Sequence, residues 1–577
     1  MTNRLRVEKQ LLTYTGPRVI VVGWDAGCWP YIEPRLADGL LPKFAQLLEN
    51  GCFGVLNSTK PPMTPVAWTS IITGCNPGKH GVFNWWHPVG ERAKLKPYDS
   101  TSVLEPNIFQ ILSNAGIKVG VVNAPLSNPP WPVNGFVLGG ISQQNDVLNS
   151  TSKSFHPPGL ATWAAKRHPL LLEEPKLRLN LAKNDSDLLK FWLDQENIRM
   201  EAVADMVQYY HPDLLWVHCH VGDYFGHRQP KDSKILSEAF RLIDSTIDKL
   251  ANLADPDHLL LVISDHGQNE IKKFILLQNW LEQEGLLRFQ QYLPQERFAT
   301  IVSEYLDQLG ASVSGEDWKR LVLNLADVYY DQSDSIVMSI ADKVNHHFPG
   351  STKEHGNINW EETQAYCCEF YGGFRINLKG RELQGIVDPA DYEAAVDKLI
   401  TGLSNLFDPN TGKTVGIRPL RADQIYWGEG LKNAPDIICL QTDLDYYLCP
   451  IHSLHFGESK VIVPINQDMI SARFQLTERN YCGDHSNEGL FVFGGPRAQK
   501  LGARKSMEAQ DVAPTILHVF GISTPSNMDG VAQTDLVIPF QVQNTVPKSD
   551  ARISMAPMDS PRRELLISEL RSLGYHL

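Results

Sequence analysis

Long apolar runs are missing from this chain of 577 residues. No stretch approaches the ~20 consecutive apolar residues that span a bilayer, and segment 1–17 holds no run long enough for a secretory signal. Cysteine is scarce too: nine residues, an odd number, with Cys367 and Cys368 adjacent and no pair at metal-finger spacing. That argues against a disulfide framework or a zinc finger and leads to the expectation of free thiols in a reducing, cytoplasmic setting. Positive charge falls short of negative, 53 Lys and Arg against 66 Asp and Glu, for a net charge of −13. So acidic a chain is not expected to bind a nucleic-acid polymer through its phosphates. A small phosphorylated substrate stays open, because bound cations make a site locally positive. Internal repeats and low-complexity blocks are absent as well. What remains is an apolar share of 42%, enough for a large core, in a chain too long for one simple domain.

Aspartate and histidine recur in four short motifs. Asp25 closes Gly-Trp-Asp, Asp223 and His227 frame Gly-Asp-Tyr-Phe-Gly-His, Asp265 and His266 stand in Ser-Asp-His-Gly, and His485 ends Gly-Asp-His. Three of the acids follow apolar runs, at 18–24, 213–218 and 258–264, that read as strands covered on both faces. Helical spacing covers 41–50 with Gly51 as its C-cap, 65–73 with Pro65 in first position, 107–114, 186–210 and 233–253. Strands are expected at 53–56, 118–123 and 135–138. This alternation predicts an α/β sandwich around a mainly parallel sheet. Segment 284–361 is helix-rich and reads as a cap insertion between two catalytic parts, 16–283 and 362–540. In the second part strands are expected at 373–378, 436–440 and 489–493, and helices at 391–406 and 511–520. Residues 541–577 read as a tail with one amphipathic helix at 564–573.

Carboxylates and imidazoles delivered by strand ends to one sheet edge are what an open α/β active site requires. Mixed Asp and His ligands suit zinc, manganese or iron better than calcium or magnesium alone. Gly226 would let Asp223 and His227 converge through a tight turn, and Gly267 would let the backbone turn after Asp265 and His266. Two divalent ions bring four positive charges and three aspartates cancel three, which leaves a site that favours a threonine alkoxide and an incoming phosphate. Thr64, just before a helix, gains from the positive helix end. Taken alone it could equally be an N-cap. His80, His87, His218 and His220 lie near the motifs and read as supporting groups, and Asp484 reads either as a ligand competing with His485 or as the group that orients it. Trp68, Trp85 and Trp86 read either as core or as stacking groups at the mouth.

The run 60–81, KPPMTPVAWTSIITGCNPGKHG, resembles the nucleophile segment of type I phosphodiesterases and nucleotide pyrophosphatases, members of the alkaline phosphatase superfamily. The order of the remaining motifs is similar, as are Gln510-Asp-Val-Ala-Pro-Thr-Ile-Leu and Met528-Asp-Gly near the end, so that the resemblance runs from about residue 18 to 535. Ile376-Asn-Leu-Lys-Gly-Arg-Glu looks like a microbial branch of phosphohydrolases and phosphomutases. The resemblance implies an alkaline-phosphatase-like three-layer fold and two metal ions, zinc as a rule and manganese in the mutases. Asp223, His227 and His485 would hold one ion, and Asp25, Thr64, Asp265 and His266 the other. Thr64 would attack phosphorus and form a phospho-threonine that water hydrolyses. The family's phosphoryl-binding asparagine falls on Trp85 here, with Asn84 one position short and the substitute for it. No arginine matches the phosphate grip of phosphomonoesterases, which favours diesters. A phosphotransferase or phosphomutase, and a catalytically silent phospho-ligand binder, remain alternatives. A sulfatase fits less well, because those enzymes carry a modified cysteine or serine where Thr64 stands.

Overall fold

The computed structural model describes residues 14–89, 94–139, 154–172, 184–289, 358–369, 371–449, 460–465, 482–502 and 504–540. Most of the expected insertion, 290–357, and the tail from 541 lie outside them. In chain order the first part contains β1 (Val19–Trp24), α1 (Pro42–Glu49), β2 (Cys52–Asn57), α2 (Thr64–Thr73), α3 (Ile108–Asn114), β3 (Val119–Val122), β4 (Gly135–Leu138) and β5 (Phe155–His156). There follow α4 (Asp185–Tyr210), β6 (Leu214–Cys219), α5 (Val221–Gly226), α6 (Lys234–Ala251), β7 (Leu259–Ile263), β8 (Gly267–Glu270) and α7 (Leu277–Gln283). After the undescribed segment come β9 (Ala365–Glu369), β10 (Gly373–Ile376), α8 (Tyr392–Ser404), β11 (Ile417–Arg421) and β12 (Ile437–Gln441). The chain closes with β13 (Gly483–Ser486), β14 (Glu488–Gly494), β15 (Arg504–Glu508) and α9 (Val512–Val519).

Nine strands form the main sheet in the order β15-β2-β14-β7-β1-β6-β3-β4-β5. Its centre is parallel: β1 pairs with both β6 and β7, and β3 with β6 and β4. β14 enters antiparallel between β2 and β7. The apolar runs forecast this, because a strand covered on both faces has no polar side to alternate with. Along β1, Ile20, Val22 and Trp24 pack with Phe44 of α1, Val203 of α4 and Phe240 of α6. Val19 and Val21 pack on the other face with Ile71 of α2, Phe109 of α3 and Ile516 of α9. The main sheet therefore lies between two helix layers, with a core on each face.

A second unit stands beside the first. β9, β10, β12 and β11 form an antiparallel sheet in that order, and α7 and α8 cover it through Trp280, Leu281, Val396 and Leu399. β8 and β13 pair antiparallel on their own and carry the late histidine motif. The expected strands and helices between 362 and 540 are present, distributed over these separate sheets. Two local readings need correction. Gly51 has no left-handed φ and is not a cap; a Cβ there would overlap the Phe493 carbonyl, so close strand approach accounts for the glycine. Helix α2 begins at Thr64 itself, with Met63 as N-cap. All nine cysteines are free thiols, and among the described residues no helix is long and apolar enough to cross a membrane.

Candidate active site

β7, β1 and β6 are adjacent and parallel, with Gly23 level with both His218 and Ile263, so their C-terminal ends open at one height. Asp25 follows β1 directly, and Asp265 and His266 follow β7. Beyond β6 the chain turns into the short helix α5, which contains Asp223 and is capped by His227. A helix places residues i and i+4 on one face, so these two converge by helical geometry and not by the tight turn expected from Gly226. Gly226 serves another purpose: a Cβ there would overlap the Gln268 side chain. His485 arrives from β13. Thr64 opens α2, where its hydroxyl makes no capping bond and instead lies 3.3 Å from His266 Nε2. Val66 and Ala67 both donate to the Met63 carbonyl and Pro65 has no N–H, which leaves the Thr64 N–H as the open first-turn donor.

The expected ligand residues come together in two groups. His227 Nε2 lies 3.3 Å and His485 Nε2 3.2 Å from Asp223 Oδ1, with 3.1 Å between the two nitrogens. His266 Nε2 lies 3.1 Å from Asp265 Oδ2 and 3.6 Å from Asp25 Oδ1. The His266 and His485 rings stack at 3.6 Å, which joins the groups. A tetrahedral ion with ligands at ~2.0 Å spaces them by about 3.3 Å, the edge length of the first group.

The histidine tautomers decide what these contacts mean. Nδ1 donates to the Gly483 carbonyl in His227, to Pro62 in His485 and to Gly267 in His266. A carbonyl only accepts, so Nδ1 carries the hydrogen and Nε2 of each neutral ring presents a lone pair. Those lone pairs face carboxylate oxygens, and Asp25 Oδ1, Asp223 Oδ1 and Asp265 Oδ2 are buried without a donor. Lone pairs brought this close repel unless a proton or a metal ion lies between them. Both groups fit a divalent ion on this count. Without one, protons take its place. Burial alone would depress His227, but the Asp223 carboxylate holds its imidazole at about 9. Burial, with the charges of Asp25 and Asp223, pushes Asp265 well above the usual carboxylate range. Burial and His485 push His266 down to about 3.

His218 and His220 sit closer to the centre than their sequence position indicates. His218 Nε2 and His220 Nδ1 both reach Asp25 Oδ2, at 3.1 and 2.9 Å, and His220 Nε2 is 3.8 Å from Asp223 Oδ2. Burial and Asp223 would raise Asp25; the two imidazoles overcome both and hold it ionised. His80 bonds Ser70 Oγ at 2.9 Å and accepts from the Val82 N–H, a local role. Trp68, Trp85 and Trp86 are core: the first meets Trp216 and His218 edge-on, and the others pack with Met63, Val66 and Tyr98. Asn84 is buried in the loop before Trp85, and its Oδ1 accepts the Trp85 N–H at 2.6 Å. Asp484 Oδ1 accepts the His485 N–H at 2.7 Å and the Tyr371 hydroxyl at 2.6 Å. Tyr371 carries no sequence signal, since it follows an ordinary strand of another sheet.

No curated protein matches the sequence. Among solved structures, a phosphonoacetate hydrolase from Sinorhizobium meliloti 1021, in complex with phosphonoformate, is similar at TM-score 0.50 and 14% identity over 87% of this chain and 95% of its own. Murine ectonucleotide pyrophosphatase / phosphodiesterase 5, in complex with AMP, is similar at TM-score 0.47 and 12% identity over 90% of this chain and 100% of its own. The first likeness concerns the fold, which is alkaline-phosphatase-like. The model of the type I phosphodiesterase / nucleotide pyrophosphatase family matches residues 19–450, most of the chain, and the protein belongs to that family, within the alkaline phosphatase superfamily.

Proposed function

We propose that this protein is a metal-dependent phosphoryl hydrolase that cleaves a small, nucleotide-like phosphodiester or pyrophosphate through a phospho-threonine on Thr64. One observation carries the reading: His227, His266 and His485 all spend their Nδ1 hydrogens on backbone carbonyls and turn Nε2 toward buried carboxylates. Asp223, His227 and His485 would hold one divalent ion, and Asp25, Thr64, Asp265 and His266 a second, zinc by donor type with manganese as the alternative. Ions bound there supply Lewis-acid charge that favours an ionised Thr64 hydroxyl and stabilises charge developing on the phosphoryl oxygens.

The chain's own contribution is positional. Thr64 Oγ1 forms a bond to phosphorus as the bond to the leaving oxygen breaks, and a water then opens the threonine ester and restores the hydroxyl. The open Thr64 N–H and the positive end of α2 favour the phosphoryl oxygens. Asn84, whose Oδ1 is already committed, offers Nδ2 as a further donor. His218 and His220 keep Asp25 ionised and aimed. The free thiols fit a reducing, cytoplasmic setting.

The test is hydrolysis of bis-p-nitrophenyl phosphate against p-nitrophenyl phosphate, after chelation and return of zinc or manganese. Faster, metal-requiring cleavage of the diester is expected. Faster monoester cleavage would reassign the protein to the phosphatases or mutases. Thr64→Ala should lose at least about a thousandfold in turnover; unchanged turnover in the metal-loaded variant refutes the threonine mechanism.

A further inference from the structure

The second unit reaches the candidate metal-ligand cluster through Tyr371. Tyr371 stands at the tip of the hairpin between β9 and β10, with φ of 64°. Gly372 follows at 78°, where a Cβ would press on Cys439 and Leu448. Glycine is at home in that region, whereas a bulky aromatic residue there is an outlier. Such strain persists only where the surroundings over-determine it, and it gathers at functional sites.

The surroundings of Tyr371 are specific. Its hydroxyl donates to Asp484 Oδ1 at 2.6 Å, the same oxygen that accepts the His485 N–H. Its ring stacks on His485 at 5.2 Å and 22°, extending the His266–His485 stack. On its flanks it meets Tyr447 edge-on at 6.0 Å and packs against the apolar cluster that contains Met63 and Val66, near Thr64. His485 is thus held at Nδ1 by Pro62, at its backbone by Asp484 and on one ring face by Tyr371. Pro62 belongs to the Thr64 segment, whereas Tyr371 ties this imidazole to the second sheet.

We propose that Tyr371 is a positioning residue: its strained hairpin tip fixes the ring of His485 and the carboxylate of Asp484, and so sets the geometry of the Asp223, His227 and His485 group. The inference rests on reading that group as a metal site.

The test uses the full chain loaded with Co²⁺, in wild type, Tyr371→Phe and Tyr371→Asn. Phenylalanine keeps the ring and removes the hydroxyl; asparagine removes both and tolerates the left-handed backbone. Three quantities are read: Co²⁺ affinity by chelator competition, the visible absorption of the bound ion, and the melting temperature of the metal-free protein. Losing a group that orients a ligand weakens metal affinity by about 10- to 100-fold. A loss of that order is expected for both variants, larger for asparagine and accompanied by a changed Co²⁺ spectrum, while both still fold. Wild-type affinity and spectrum in both variants, whatever the melting temperatures do, would reduce Tyr371 to packing and overturn the proposal alone. A wild-type protein that binds no Co²⁺ would overturn the metal reading itself.

Discussion

Asp25 shows how one carboxylate is kept ionised and oriented inside a core. Its Oδ2 accepts from two imidazoles, which leaves Oδ1 as the oxygen facing His266. His220 also stands against Asp223 and so braces both halves of the cluster. His220→Ala should weaken metal affinity by about 10- to 100-fold and leave the fold intact, as read by chelator competition; an unchanged affinity would show that the bond to Asp25 is dispensable. The pH dependence of binding follows from His227. A metal must displace its proton, and Asp223 keeps that proton on until pH reaches about 9. Apparent affinity for zinc should therefore climb as pH rises toward that value and fall on acidification. Affinity constant from pH 6 to 9 would remove His227 from the ligand set.

At the scale of elements, the short helix α5 converts a strand end into a bidentate presentation. Asp223 and His227 share a face one turn apart, and the Cys482 N–H bonds the His227 carbonyl at 2.9 Å, which seats β13 and its histidine. Gly226 lets α5 lie against the Gln268 amide of β8. Gly226→Ala forces that contact apart, and overpacking of this kind costs about 1–3 kcal/mol. A lower denaturant midpoint is expected, with partial recovery in the double variant carrying Gln268→Ala, because the clash is pairwise. Additive losses would show that Gly226 serves its own backbone conformation instead.

At the scale of the whole molecule, ion pairs join segments far apart in sequence. Asp529 accepts from the Asn76 N–H, Asn76 Nδ2 and Lys79 Nζ, fastening the end of the described chain to the loop after α2. In the second unit Arg381 grips Asp436 through both terminal nitrogens. Burial would raise both acids, but the lysine and the arginine overcome it and hold them below the usual range. A depressed folded-state pKa means fewer protons bound in the folded than in the unfolded chain. The stability these pairs add is complete above pH ~4 and is lost as pH falls through the depressed values. Urea midpoints should drop steeply below pH 4. Asp436→Asn should lower the midpoint at pH 7 and flatten the acid limb; an acid limb as steep as wild type would mean that other carboxylates govern it.

The sequence by itself determined the α/β class and the position of the acids. Continuous apolar runs such as 18–24 and 258–264 specify strands buried on both faces, and the residue after such a strand emerges at the sheet's edge. Hydrophobic period and strand length are local properties, so they are legible without partners. The same locality explains the failures: Gly51 and Gly226 suit a cap or a turn in isolation, and only a facing carbonyl or amide reveals why no side chain fits. Tyr371, and the partners of His218 and His220, lay beyond reach for a related reason. The value of these three side chains comes from what they touch, Asp25 for the histidines and His485 with Asp484 for the tyrosine, and those contacts join residues separated by more than a hundred positions. Only tertiary packing brings strand ends, the helix start at Thr64 and the hairpin tip of a second sheet to one place, and only there do three histidine tautomers become fixed by carbonyls that the primary sequence cannot pair with them.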